Sequence, residues 1–271
     1  MNGIVDLHVH SAPSLLPRHG NDYDTARAAT HAGVSTLVLK AHEGSTAERA
    51  LLVGNGAVGG VVLNSTVGGA NPDAVRVAGM FGARVVWLPT ISSECHQSAS
   101  QNRELSVHRD LHFRTVPVSP TGHLDDAWNQ VFEEVAAADM VLASGHVSMD
   151  EAVIAFKAAR ALGVRRFLVN HPLMPFLGWR DDHATAFSEL GAYLELGILA
   201  DLIASVQPAP TERLARAYPA ELLAFGSDLG HADHPTFSDG IDQWLPELIR
   251  IVGETTATRI MTVSGRELLS L

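Results

Sequence analysis

Gly3-Ile4-Val5-Asp6-Leu7-His8-Val9-His10 is an apolar run, near the start of the chain, that closes on two histidines. It reads as a β-strand with chemistry loaded at its tip. Successive side chains of an extended strand alternate faces, so Asp6, His8 and His10 are expected on one side and Val5, Leu7 and Val9 on the other. Two imidazoles then converge on one point. Neutral imidazole is the commonest metal ligand, and a pair at i and i+2 on a strand tip can grip one cation without rearrangement.

Seven more apolar or β-branched runs follow, at residues 35–42, 59–67, 83–90, 140–147, 165–171, 192–198 and 222–229. Between them lie amphipathic or alanine-rich stretches with helix-start signals: Ser45 with Glu48, Ser148 with Glu151, and Asn71 before Pro72. Several of these stretches end at glycine, at Gly33, Gly82 and Gly163. Strands alternating with helices imply parallel pairing through crossovers, and eight such units close most simply into a (β/α)8 barrel. An open doubly wound sheet is the weaker alternative, because no glycine-rich nucleotide turn follows the first strand. Gly54-Asn55-Gly56-Ala57-Val58-Gly59 matches GxGxxG but follows a helix and precedes a strand, which is the wrong order for a dinucleotide loop. The spacing between strands is even except after the fourth. There a polar, histidine-bearing insertion at 91–122 is expected to wall the face formed by the loops that follow the strands. Residues 253–271 read as an extra helix on the barrel's outside or base. With no linker or low-complexity segment, residues 1–271 are read as one domain.

Composition narrows the partners. The 271 residues carry 19 Lys plus Arg against 30 Asp plus Glu, a formal charge of −11, and no basic run. This argues against nucleic acid and for a small-molecule substrate. Cys95 is the one cysteine, which excludes an internal disulfide framework and fits a reducing cytoplasm. No signal peptide is visible, and no apolar run approaches the roughly 20 residues that span a bilayer. A cytoplasmic protein is expected; homo-oligomerisation is not readable.

In a barrel, catalytic residues sit at the C-terminal ends of strands. The second run ends Lys40-Ala41-His42, the fifth Ser144-Gly145-His146, and the sixth Asn170-His171-Pro172; the seventh holds Glu195 and the eighth ends Gly226-Ser227-Asp228. So many ionisable groups at one barrel mouth are costly unless they bind a cation or one another.

These residues resemble the amidohydrolase superfamily of metal-dependent hydrolases, whose pattern is His-x-His on the first strand, histidines on the fifth and sixth and aspartate on the eighth. The resemblance spans essentially the whole chain and implies a divalent metal, zinc first and manganese or iron as alternatives, held by His8, His10, His146, His171 and Asp228. The fourth strand, Ala83-Arg84-Val85-Val86-Trp87-Leu88-Pro89-Thr90, lacks the lysine or glutamate of many members. One metal is therefore expected, unless Lys40, Glu94 or Glu195 replaces the bridge. The chemistry implied is attack of activated water on an amide, ester or lactone. Asp228 would be the general base, with Lys40 or His42 polarising the carbonyl or binding a substrate carboxylate. Glu195, Glu94, His96 and His231 are candidates for substrate or second-metal contact, and His234 lies close to His231. His108, His112 and His123 are expected to be solvated. A weaker resemblance, carried by Asp6 to Ser11, His42 and Gly226-Ser227-Asp228 with His231, is to the polymerase and histidinol phosphatase family of phosphoesterases. It implies three metals in a seven-stranded barrel, but Asn64 stands where that family has glutamate. A metal-dependent decarboxylase and a non-catalytic metal-binding protein complete the alternatives.

Overall fold

The computed structural model describes residues 1–54, 56–102, 108, 111–119, 122, 124–204 and 209–271. β1 (Ile4–Val9) pairs in parallel with β2 (Val34–Leu39), and β2 with β3 (Ala57–Val58). A second all-parallel ladder runs through β4 (Gly60–Val62), β5 (Val85–Trp87), β6 (Val141–Ala143), β7 (Arg166–Val169), β8 (Tyr193–Leu196) and β9 (Leu223–Phe225). Only Gly59 separates β3 from β4, so the two are halves of the third expected strand. The chain beyond β9 then returns to β1: Asp228 N donates to His8 O and His10 N to Leu229 O, each at 2.9 Å. The last strand thus lies beside the first, in the order of a (β/α)8 barrel.

The connecting helices are α1 (Asp22–His31), α2 (Ala47–Val53), α3 (Pro72–Met80), α4 (Glu94–Gln101), α5 (Asp126–Ala137) and α6 (Met149–Ala161). α7 (Asp181–Glu189), α8 (Ile198–Ile203), α9 (Pro210–Ala217) and α10 (Phe237–Val252) follow. Local chemistry sets their starts. Ser148 and Glu151 form the full reciprocal cap of α6, and the Asn71 side chain accepts from Ala74 N ahead of Pro72 in α3. At α2 the Ser45 hydroxyl bonds Glu48 as expected, but the helix starts after Thr46, whose hydroxyl is taken by Leu39 O at 2.6 Å.

Two apolar layers follow from the strands. Val5, Leu7, Val38, Val62, Trp87 and Leu168 belong to an inner cluster drawn from most strands, whereas Ile4 and Val9 pack in the outer cluster with the helices. The strict alternation expected for β1 therefore fails. Its pairing with β2 is irregular between Asp6 and Val9, so Leu7 and His8 both turn inward. Asp6 does not share the histidines' side. Its carboxylate accepts from Ser227 N at 2.8 Å and His8 N at 3.1 Å, stitching β1 to the stretch after β9, and burial pushes it up to about 7.

The C-terminal segment is α11 (Glu254–Thr258), a π-helical turn (Arg259–Val263) and α12 (Ser264–Leu269). Leu268 and Leu269 join the inner cluster beside Val5 and Leu7, so this segment seals the barrel end away from the histidines. Among the described residues no helix is long and apolar enough to cross a membrane.

Gly230 turns the chain after β9 with φ +119°, and a Cβ there would stand 1.9 Å from His10 O. Gly230→Ala is expected to cost about 2–3 kcal/mol and to lower Tm by about 5–10 °C, from strained backbone and a main-chain clash together. Thermal unfolding checks it; an unchanged Tm would show that the two loops part easily.

Candidate metal centre and active-site cavity

The site is assembled from strand ends. His10 Nδ1 lies 3.0 Å from the Lys40 carbonyl, which can only accept, so this nitrogen carries the proton and Nε2 is left with its lone pair. His8 Nδ1 lies 2.9 Å from Glu195 Oε1 of β8, and Asn170 Nδ2 donates to the other oxygen of Glu195 at 2.6 Å. His8 is thereby held in the same tautomer. The two Nε2 atoms stand 3.2 Å apart, and each lies 3.1 Å from Asp228 Oδ1. Three electron-rich atoms at this spacing favour positive charge beside them, and the Lys40 ammonium supplies one at His8 Nε2. Lys40 Nζ approaches His8 Nε2 to 3.0 Å from below, over the Trp87 ring.

Two imidazole nitrogens and one carboxylate oxygen lie within 4.8 Å of one another, with both histidines oriented through their second nitrogens. This donor set fits a divalent cation of the zinc class. Burial pushes His8 down to about 3 and His171 and His96 to about 4, and holds His10, His42 and His146 well below the usual histidine range. All are neutral at physiological pH, as ligation requires. Burial alone would raise Asp228, but positive charge on the imidazoles of His8, His10 or His171 would outweigh it and hold the carboxyl well below its ordinary range, so the group as a whole favours a positive charge at its centre. Asp228 and His171 also have positive φ, +56° and +27°, a strained backbone of the kind that gathers at functional sites.

A solvent-open cavity adjoins this group. His10 and Asp228 form one side, and His42, His146, His171 and His96 another. His42 is fixed by Thr90 Oγ1 at 2.8 Å, and His96 Nδ1 meets His146 Nδ1 at 3.0 Å. The His171 ring lies tilted to those of His146 and His8, with centroids 5.0 Å and 5.7 Å away. Of the five expected metal ligands, His8, His10 and Asp228 form the tight group, while His146 and His171 line the cavity beside it.

Other expectations need correction. Lys40 is almost fully buried and does not line the cavity, so its ammonium serves His8 rather than a substrate carbonyl. Glu94 is exposed on α4 and faces a separate surface cleft with Cys95 and Glu151; its helical register, not its position in the insertion, decides this. Burial and those two acids push the Cys95 thiol up to about 11, leaving it protonated and unreactive at neutral pH. His108 was expected in solvent but lines the cavity, edge-on to His42 with centroids 4.6 Å apart. His231 and His234 sit together at the mouth, His112 is exposed, and His123 lies outside the described residues. Asn64 donates to His42 O and Thr90 Oγ1, each at 2.8 Å, and so clamps β-strand ends instead of meeting a cation. The residues that sequence reasoning missed are Arg18 and the apolar wall of Met174, Phe176, Leu199 and Ile203. Arg18 lies in the loop after β1, Met174 and Phe176 in the connection after β7, and Leu199 and Ile203 on α8 directly after β8, so the barrel rule marks that face without naming the residues.

Fold and site together define an α/β-barrel protein in which three residues at the strand ends, His8, His10 and Asp228, could hold a cation. A sequence profile described as a family of unknown function, DUF6282, matches residues 3–195, and the chain belongs to that family. No functionally curated protein matches it in sequence. Solved structures that resemble it are amidohydrolase and TIM-barrel proteins. One, from Pseudomonas putida, is described as a 2-pyrone-4,6-dicarboxylic acid hydrolase: 14% identity, TM-score 0.62, covering 100% of this chain and 98% of that one. An amidohydrolase from Pseudomonas aeruginosa gives 10% identity and TM-score 0.62 over 98% and 95%. An uncharacterised TIM-barrel protein from Bordetella bronchiseptica gives 12% and 0.60 over 98% of each chain. At these identities the likeness is one of fold.

Proposed function

We propose that this protein is a metal-dependent hydrolase that cleaves an amide, ester or lactone in a small molecule. The observation that carries the reading is the convergence of His8 Nε2, His10 Nε2 and Asp228 Oδ1 with both imidazoles locked through Nδ1. A divalent cation held by these three residues would acidify water and polarise a carbonyl oxygen. Asp228, ionised and at the cavity wall, takes the proton of the attacking water and returns it to the leaving nitrogen or oxygen. The carbonyl carbon gains the water oxygen and loses the leaving group, giving an acid and an amine or alcohol. His171 and His146 stand where they can add to the cation's ligands or donate to the substrate carbonyl, while the Glu195–Asn170 pair keeps His8 aimed. The charge of −11 supports a small-molecule substrate over a nucleic-acid partner, and the lone cysteine fits a cytoplasmic setting.

Elemental analysis of protein produced with added zinc or manganese is expected to find about one equivalent of metal, lost in His8→Ala/His10→Ala protein. About three equivalents would favour a phosphoesterase, and none would overturn the proposal. Screening the loaded protein on lactones, amides, esters and phosphate esters then reads the reaction class.

A further inference from the structure

Among the described residues, Arg18 is the one guanidinium that lines the cavity. Its Nε donates to Ser14 Oγ at 3.2 Å. Among the described residues its terminal nitrogens bond no protein acceptor, and no carboxylate lies within ion-pair distance. The nearby acids are engaged elsewhere: Asp228 with His8 and His10, and Glu43 with Ser14 Oγ at 2.9 Å and Leu15 N at 2.6 Å. The half-buried guanidinium lines the cavity, and its permanent charge is available there to an incoming anion.

Its position is fixed in advance. The loop after β1 is zipped to the loop after β9: Arg18 bridges His231 in antiparallel fashion, His19 N donates to Gly230 O at 2.9 Å, and Ala232 N donates to Pro17 O at 3.1 Å. His19 Nε2 also bonds His234 O at 2.8 Å. A guanidinium held this way binds with little ordering cost. The cavity's other described lining is imidazole, the Asp228 carboxylate already engaged by His8 and His10, and the apolar side chains Met174, Phe176, Leu199 and Ile203.

We propose that Arg18 is the anion-recognition residue of this cavity, and that the substrate is a small carbonyl compound carrying a carboxylate on an apolar body. The assignment of a reaction at that carbonyl rests on the hydrolase reading above; the anion site does not. One planar fork matches one carboxylate through two parallel hydrogen bonds. Among the described residues no second cationic side chain is free beside Arg18 to serve a dianionic phosphate: Arg49 is paired to Asp22 at 2.7 Å and Lys40 lies beneath His8.

Calorimetric titration with benzoate, benzamide and phenyl phosphate, on metal-free and zinc-loaded protein, tests the proposal. Benzoate is expected to bind at least about tenfold more tightly than benzamide, with Arg18→Gln erasing the preference and Arg18→Lys keeping part of it. Equal binding of benzoate and benzamide overturns the proposal, as does a preference that survives in Arg18→Gln. Phenyl phosphate binding more tightly than benzoate through Arg18 overturns the carboxylate assignment. Should Arg18→Gln fail to fold, Arg18→Lys supplies the same comparison, with an undiminished preference counting against the guanidinium. Zinc uptake measured in parallel separates the two readings. Protein that takes up no zinc yet selects benzoate through Arg18 sinks the hydrolase and keeps the anion site.

Discussion

Asp228→Asn is expected to lower turnover by about 10²–10⁴-fold, the usual contribution of a positioned general base, while the protein retains most of its metal. The asymmetry follows from the geometry. Asp228 Oδ1 stands 3.1 Å from both His8 Nε2 and His10 Nε2, and an asparagine oxygen in the same place still completes the donor set. What asparagine lacks is the capacity to take a proton, and nothing nearby replaces it. The cavity histidines are driven far down by burial, which makes them weak bases, and Glu195 is committed to His8 and Asn170. Steady-state kinetics on the substrate found by screening, with metal content measured on the same sample, gives both readouts. Wild-type turnover in Asp228→Asn would remove Asp228 from the proton transfer. Loss of metal in step with activity would make it chiefly a ligand.

The strands and the site were legible to different depths. Apolar runs bounded by glycine announce the barrel because a parallel strand is buried on both faces, so hydrophobicity and punctuation mark it without tertiary information. Those runs overshoot the observed strands at their C-terminal ends. Ser144 to Val147, for instance, read as part of the fifth strand yet leave the ladder after Ala143 to carry His146. His8, His10, His42, His146, His171 and Asp228 could be placed at the barrel mouth from sequence because the fold sets the ends of successive strands on one face. Alternation failed at β1 because a register irregularity between Asp6 and Val9 is set by the neighbouring strand, not by the residues themselves. Lys40 was misread for a related reason. Its side chain shares the barrel interior with the histidines, but depth along the barrel, which puts it over Trp87 and under His8, depends on the stagger between strands. Arg18 and His108 were illegible as site residues because loop conformation brings them in, and their local sequence carries no period to read.

Glu195 tests how much of the metal centre depends on what holds it. Glu195→Gln is expected to weaken zinc binding by about 10- to 100-fold, the range seen when a carboxylate behind a ligating histidine is lost. The wild-type carboxylate accepts twice, from His8 Nδ1 at 2.9 Å and from Asn170 Nδ2 at 2.6 Å. A carboxamide has one oxygen, so one of these partners would face an N–H group and His8 would lose either its tautomer or its aim. Competition with a chromophoric chelator measures the affinity, and unfolding curves show whether the fold persists. Gly226→Ala supplies an independent arm with the carboxylate intact, because a Cβ there would stand 2.8 Å from Glu195 Cγ and Cδ and push the side chain off His8. Both variants should lose zinc affinity with the cavity's anion preference unchanged, since Arg18 is held by different loops. If Glu195→Gln binds zinc as tightly as the wild type, His8 is aimed by its strand alone. If Gly226→Ala fails while Glu195→Gln holds, the backbone path of β9 matters more than the hydrogen bond.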